Sequence, residues 1–219
     1  MAFTLTAELL MTLTALNAIS PVDGRYLKKT RSLTPYFSEF ALTYYRLLVE
    51  IRWLESLAAN PLITEVPEMN EQSHAFLAAI LTDFNEEEAA KIKEYERQTN
   101  HDVKAVEYYL KHKLEASSTL KNITSFIHFA CTSEDINNIA YALMAKEAIA
   151  QIIQPTLAEI TGGITLLGKQ HGDAAMLSRT HGQPATPTTL GKELINFSAR
   201  LKRPLQQLAE VLIAAKCNG

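Results

Sequence analysis

The sequence is short of cysteine, of charge of one sign and of long apolar runs, and each shortage excludes a class of protein. Its 219 residues include two cysteines, Cys131 and Cys217. They lie far apart with no Cys or His at metal-ligand spacing, so neither a disulfide framework nor a zinc site is indicated. A reducing, cytoplasmic compartment is expected. Lys and Arg total 21 against 24 Asp and Glu, a formal net charge of −3. With its cations outnumbered and scattered, the chain is not expected to bind nucleic acid. Nor is a membrane partner expected, because the apolar N-terminal stretch, residues 1–19, is too short to span a bilayer. That stretch has no basic n-region, is interrupted by Glu8 and precedes no convincing cleavage site, so it is not read as a signal peptide. Met11 is an alternative start, which would make residues 1–10 a dispensable extension. Internal repeats, low-complexity tracts and strand-like alternation of any length are also missing.

What is present is helical periodicity. Phe37, Phe40, Tyr44, Leu47, Leu48, Ile51, Leu54 and Leu57 recur every three or four residues, predicting a helix over 35–59 with Thr34-Pro35 at its start. A shorter helix is expected over 73–84. Asn85, followed by Glu86, Glu87 and Glu88, reads as a cap with acids in the first turn. Val103, Val106 and Leu110 mark another helix, and Thr132-Ser133-Glu134-Asp135 fits a capping box before Ile136 and Ile139. Pro155 starts or kinks the next helix. A last helix, capped by Thr188 and bent at Pro204, is expected to carry apolar residues as far as Leu212. The fold class is therefore all-α. A change to small polar residues at 117–120 places the division between a small helical domain, 1–119, and the first part of a long-helix bundle, 120–219. Two or three such helices cannot bury their own stripes, so the sequence reads as cut short or dependent on other chains.

Polar clusters interrupt this pattern. Ser178-Arg179-Thr180-His181-Gly182-Gln183-Pro184-Ala185-Thr186-Pro187 cannot be regular helix, because two prolines and a glycine break it. It fits either a catalytic loop, with His181 trading a proton near neutral pH, or a capped turn whose histidine only bonds backbone. Pro21-Val22-Asp23-Gly24-Arg25-Tyr26 presents an arginine suited to a carboxylate or phosphate, or is a plain surface turn. Thr99-Asn100-His101-Asp102 and Thr132-Ser133 stand at helix starts, where free N–H groups favour anions. In the first of these, Asn100 or Asp102 would cap the helix if no ligand is involved. His128, in an apolar run, reads as a satisfied core histidine and Cys131 as packing.

Taken together, PVDGRY (21–26), TNHDVKAVEYYL (99–110), FIHFACTSEDINN (126–138), SRTHGQPATPTTLGKE (178–193) and KCNG (216–219) resemble the N-terminal half of the adenylosuccinate lyases. These belong to the fumarase/aspartase superfamily of all-helical homotetrameric lyases. An argininosuccinate lyase would show a different, arginine-containing segment in place of TSEDINN, and the long interval between PVDGRY and TNHD matches the larger, bacterial type. The resemblance implies a β-elimination that cleaves a C–N bond and releases fumarate from adenylosuccinate or from SAICAR, without cofactor or metal. It implies that His181 protonates the departing nitrogen and that His101 supports this acid or the substrate phosphate. Arg25, Tyr26, Asn100, His101, Asp102, Thr132 and Ser133 match substrate-binding positions, and His128 lies near the site. The family's general base is a serine on a loop bearing Met-Pro-Lys-Asn, which these residues do not contain, so the chain alone is expected to be inactive. The alternatives are another fumarate-releasing lyase, such as one of the argininosuccinate type, or a non-catalytic helical scaffold.

Overall fold

The computed structural model describes Leu16 and residues 18–218. The apolar stretch 1–15, with the Met11 start and the expected extension 1–10, lies outside the described residues, as do Asn17 and Gly219. After the turn at 20–26 come three short turns of helix, α1 (Leu27–Thr30), a 3₁₀ turn (Arg31–Leu33) and α2 (Thr34–Phe37). The helix expected over 35–59 is broken at Ser38. That residue is extended, at ψ 164°, and its hydroxyl accepts the Ala41 N–H to start α3 (Glu39–Ala58). A serine that can cap wins over continuing the first helix.

Helix α3 is buried on two faces, and this makes it the hub of the fold. One face, Leu47, Ile51, Leu54 and Leu57, packs with α4 (Glu71–Thr82), α5 (Glu86–Thr99) and α6 (Asp102–Glu115) through Leu77, Ile92, Tyr109 and Leu110. The other face, Ala41, Tyr45 and Val49, packs with Val103 and with Ile136, Ala140 and Met144 of α7 (Ser133–Ala148). A helix apolar on both sides is stable only between partners. Leu120, Ile123 and Ile127, around the 3₁₀ turn Lys121–Phe126, close the first cluster from below. Asn85 caps α5 as its sequence predicts, accepting the Glu87 and Glu88 N–H groups at 3.0 and 3.1 Å.

Helix α7 passes through a π-helical segment, Ile149–Ile153, into α8 (Gln154–Gln170). The wider turn ends at Ile153, just before Pro155, whose ring would otherwise meet the carbonyl of the preceding turn, so the proline is absorbed without ending the helical path. Where a non-helical loop is expected over 178–187, the structure instead has strands, a departure from the absence of strand-like alternation in the sequence. Strands β1 (Ala175–Thr180) and β2 (Gln183–Thr189) form an antiparallel hairpin. Both strands are edges and none of their residues is buried, so neither face imposes apolar alternation and prolines are tolerated. Apart from this ribbon, the described elements are helical.

Helix α9 (Leu190–Glu210) is capped by Thr189 rather than Thr188, through the Lys192 N–H at 3.1 Å, and it continues through Pro204. It runs back along α8, with Gly191 against Gly168 and the Thr165 and Ser198 hydroxyls 2.5 Å apart. The helix ends at Glu210, short of the expected Leu212. Residues 211–218 instead return without helix to the start of α7. There the Asn138 side chain bonds both the N–H and the C=O of Lys216, at 2.8 and 2.9 Å, and Asp135 Oδ1 accepts the Asn218 N–H at 2.8 Å. These tertiary partners replace the hydrogen bonds the helix would have supplied.

Candidate functional site

The starts of α6 and α7 face each other, and two of the expected residues meet there. Asn100 ends α5 in a left-handed conformation (φ 50°), which turns the chain sharply into α6. The cap of α6 is His101 itself rather than Asn100 or Asp102. Its Nδ1 accepts the Lys104 N–H at 3.2 Å. With Nδ1 accepting, the proton of the neutral ring sits on Nε2, which lies 3.4 Å from Ser133 Oγ. Ser133 is the first residue of α7, and Thr132 is its cap: Asp135 Oδ2 accepts the Thr132 N–H at 2.8 Å, one half of the anticipated capping box.

A residue with no motif to mark it ties these pieces together. Arg46, buried at 4% exposure in α3, bonds Asp102 Oδ2 at 2.5 Å and Asn137 Oδ1 at 2.8 Å. Burial works against ionisation of Asp102, but the Val103 N–H and the Arg46 guanidinium outweigh it and hold the carboxyl below the usual carboxylate range. A signal for Arg46 does exist in the sequence: Thr43, Arg46 and Glu50 place polar groups at helical spacing among the apolar residues of α3, and all three are buried. A polar cleft of about 610 Å³ opens beside this junction, lined by Lys93, Glu96, Arg97, Asn100, His101 and Asp102. Lys93 and Arg97 likewise carry no motif. Each is already paired with a glutamate of α5.

His128 is satisfied, as expected of a core histidine, but its partner is a second buried charge. Its Nδ1 lies 2.6 Å from Oε1 of Glu50, which is fully buried. Glu107 Oε1 stands 3.9 Å from its Nε2, and Lys104 bonds the other oxygen of Glu107 at 2.7 Å. The bond to Glu50 raises the pKa of His128 against the effect of burial, while burial raises that of Glu50. Oε2 of Glu50 is buried without a hydrogen-bond partner among the described residues.

The remaining candidates lie elsewhere. His181 and Gly182, both at positive φ (50° and 77°), form the two-residue tip of the hairpin, and Thr180 pairs with Gln183 across it. Positive φ at both central residues matches the right-handed twist of a ribbon and suits glycine at the second position. His181 is exposed, with Nδ1 3.1 Å from Thr180 Oγ1. Arg25, also exposed, lies over the Tyr26 ring at 4.9 Å in the turn before α1. Among the described residues no hydrogen bond or ion pair joins either His181 or Arg25 to the His101–Ser133 junction. Distant in sequence, Cys131 and Cys217 are brought together with Asp135, their sulfurs and a carboxylate oxygen all within 4.8 Å of one another.

Comparison with known proteins agrees with this architecture. Residues 24–219 match the family model described as Lyase. The chain is 74% identical over 209 residues to an adenylosuccinate lyase of Legionella pneumophila (strain Corby) and 51% identical over the same length to that of Escherichia coli (strain K12). In both cases the match takes in 95% of this chain and 46% of the relative, so the chain spans about half the length of the curated relatives it matches. Among solved structures, the fumarate lyase of Mesorhizobium sp. BNC1 superposes with a TM-score of 0.64 at 21% identity, over 84% of this chain and 39% of that one. The 3-carboxy-cis,cis-muconate lactonizing enzyme of Pseudomonas putida gives 0.62 at 20% identity, over 82% and 39%. At such identities the likeness concerns the fold. With the family model covering all but the first 23 residues, the chain belongs to this lyase family.

Proposed function

We propose that this chain supplies the N-terminal helical domain and the first part of the central bundle of an adenylosuccinate lyase. Such an enzyme cleaves a C–N bond by β-elimination, releasing fumarate from adenylosuccinate or SAICAR in purine nucleotide synthesis. The observation that carries the reading is the meeting of two helix starts, His101 against Ser133, in a chain 74% identical to a bacterial protein of that name. A substrate with one phosphate and two carboxylates needs several anion-receptive groups, and helix starts, with the positive end of the helix dipole and the side chains around it, offer them. In this reading Thr132, Ser133, Asn100, His101 and Asp102 bind the substrate, with Arg46 holding Asp102 in place. Arg25 and Tyr26 contribute from the turn before α1. His181 gives the proton to the departing nitrogen, and no cofactor or metal is required. The general base is not assigned to a residue of this chain.

That no hydrogen bond or ion pair joins the hairpin tip to the junction among the described residues supports assembly of each site from more than one subunit of a homotetramer. His181 then reaches the His101–Ser133 junction of a neighbouring copy. The division near residue 119, a cytoplasmic location and the absence of a nucleic-acid partner belong to the same reading. An argininosuccinate-type lyase or an inert scaffold is not favoured, because the relatives at 74% and 51% identity bear the adenylosuccinate lyase name. In the active lyase that contains this chain, His181→Ala is expected to lower kcat by roughly 10²–10⁴-fold with an unchanged melting temperature. An unchanged kcat would remove the role assigned to His181. Failure of the unaltered enzyme to release fumarate from either substrate would remove the function itself.

A further inference from the structure

We propose that Cys131 and Cys217 are a redox-responsive thiol pair, which hydrogen peroxide closes into a disulfide that pins residues 211–218 to the start of α7. The two sulfurs lie within 4.8 Å of each other. Cys131 is half-buried directly before Thr132, and Cys217 is exposed on the returning segment. Their approach does not depend on the thiols themselves. Lys216 and Asn218, on either side of Cys217, are each bonded to α7, through Asn138 and Asp135. A disulfide needs Cα atoms no more than about 7 Å apart, and an exposed extended segment can supply the remaining movement.

The chemistry divides between the two thiols. Burial, with the nearby Cys217 and Glu50, pushes Cys131 up to about 12, so it is a poor first nucleophile. The exposed Cys217 thiolate attacks one peroxide oxygen, forming a sulfenic acid and releasing hydroxide. The Cys131 thiol then loses its proton and attacks that sulfur. An S–S bond forms, the S–O bond breaks and the oxygen leaves as water. Two thiols are oxidised by two electrons, and one peroxide is reduced to two waters. A metal ion fits the cluster less well. Both Asp135 oxygens are already engaged, Oδ2 by Thr132 and Oδ1 by Asn218, and two thiols alone leave a tetrahedral ion half-coordinated. Closure would hold the returning segment beside Thr132 and Ser133. That consequence rests on the proposed function; the cross-link does not.

The test is peroxide treatment of the purified protein, followed by thiol titration and non-reducing peptide mapping by mass spectrometry. The expected result is a peptide containing Cys131 joined to one containing Cys217, lighter by two hydrogens. The thiols of Cys131 and Cys217 should both cease to be titratable and should return with dithiothreitol. Cys217→Ser, at an exposed position, should abolish the linked peptide without loss of fold, and Cys131→Ala should abolish it as well. The proposal is overturned if Cys217 proceeds to sulfinic acid with no linked peptide, if both thiols stay titratable, or if the disulfide joins two separate chains. None of these outcomes depends on lyase activity.

Discussion

Arg46 shows how much one buried side chain can organise. From the middle of α3 it reaches the first residue of α6 and the second turn of α7, so three helices share one guanidinium. One turn on, the same helix carries Glu50, paired with His128. This pair has a pH signature. The bond to Glu50 raises the His128 pKa above its unfolded value of about 6.5. Its contribution to stability is therefore complete below that pH and is lost as pH rises through the higher folded value. Glu50 acts in the same direction, because its raised pKa means the ionised form is the costly one in the fold. Lys104 lies close through Glu107 and limits the size of the effect. Melting temperature should thus fall as pH rises above about 6.5, by about 2–4 °C for each kcal/mol lost. Glu50→Gln should flatten that slope. Thermal melts of both proteins across the range decide it, and equal slopes would show that the pair does not set the pH dependence.

The elements are held by what their glycines allow. At the crossing of α8 and α9, a Cβ on Gly191 would lie 2.3 Å from the Gly168 carbonyl oxygen and 2.6 Å from the Gly172 Cα. All of this is backbone, which cannot swing aside. A Cβ on Gly162, six residues before Gly168 on the same helix, would meet nothing within 4 Å, and the position is exposed. The same substitution should therefore act with opposite sign at the two sites. Gly191→Ala is expected to cost at least about 1–3 kcal/mol by forcing the helices apart. Gly162→Ala should stabilise by up to about 1 kcal/mol through helix propensity. Denaturant unfolding of the two variants measures both, and a neutral Gly191→Ala would mean that the crossing is not tight.

At the scale of the molecule, the two cores are closed around α3, but α8 and α9 are not covered. Leu166 and Phe197 are each 58% exposed, and Ile160, Leu167 and Leu190 lie on the same pair of helices. The residues buried there are Thr161, Gly168, Gly191 and Ser198, so the pair uses small residues for its own contact and turns its large apolar ones outward. Several such side chains in two continuous stripes exceed what a soluble monomer ordinarily exposes. Residues 1–219 expressed alone are expected to self-associate, with light scattering reporting a mass above the 24.4 kDa of one chain. A monodisperse monomer would show that the stripes fold onto something else within the chain.

Periodicity and capping chemistry act within a few residues of one another, so the sequence by itself determined the helical class, the Asn85 cap and the start of α7 at Thr132. The motif order likewise placed the candidate residues on helix starts and on a turn. Where a local signal was weak or absent, tertiary structure decided. The break at Ser38 and the cap at His101 each depend on a side-chain hydrogen bond that competes with simply continuing the helix, and past Glu210 the chain is held to α7 by the bonds of Lys216 and Asn218. The hairpin was invisible because neither of its faces is buried, and alternation is a trace of burial. The meeting of His101 with Ser133, the grip of Arg46 on Asp102 and the pairing of Cys131 with Cys217 join residues 32 to 86 positions apart. The first two form because α3 buries both of its faces and draws α6 and α7 together around it, and the third because residues 216 and 218 are bonded to the start of α7.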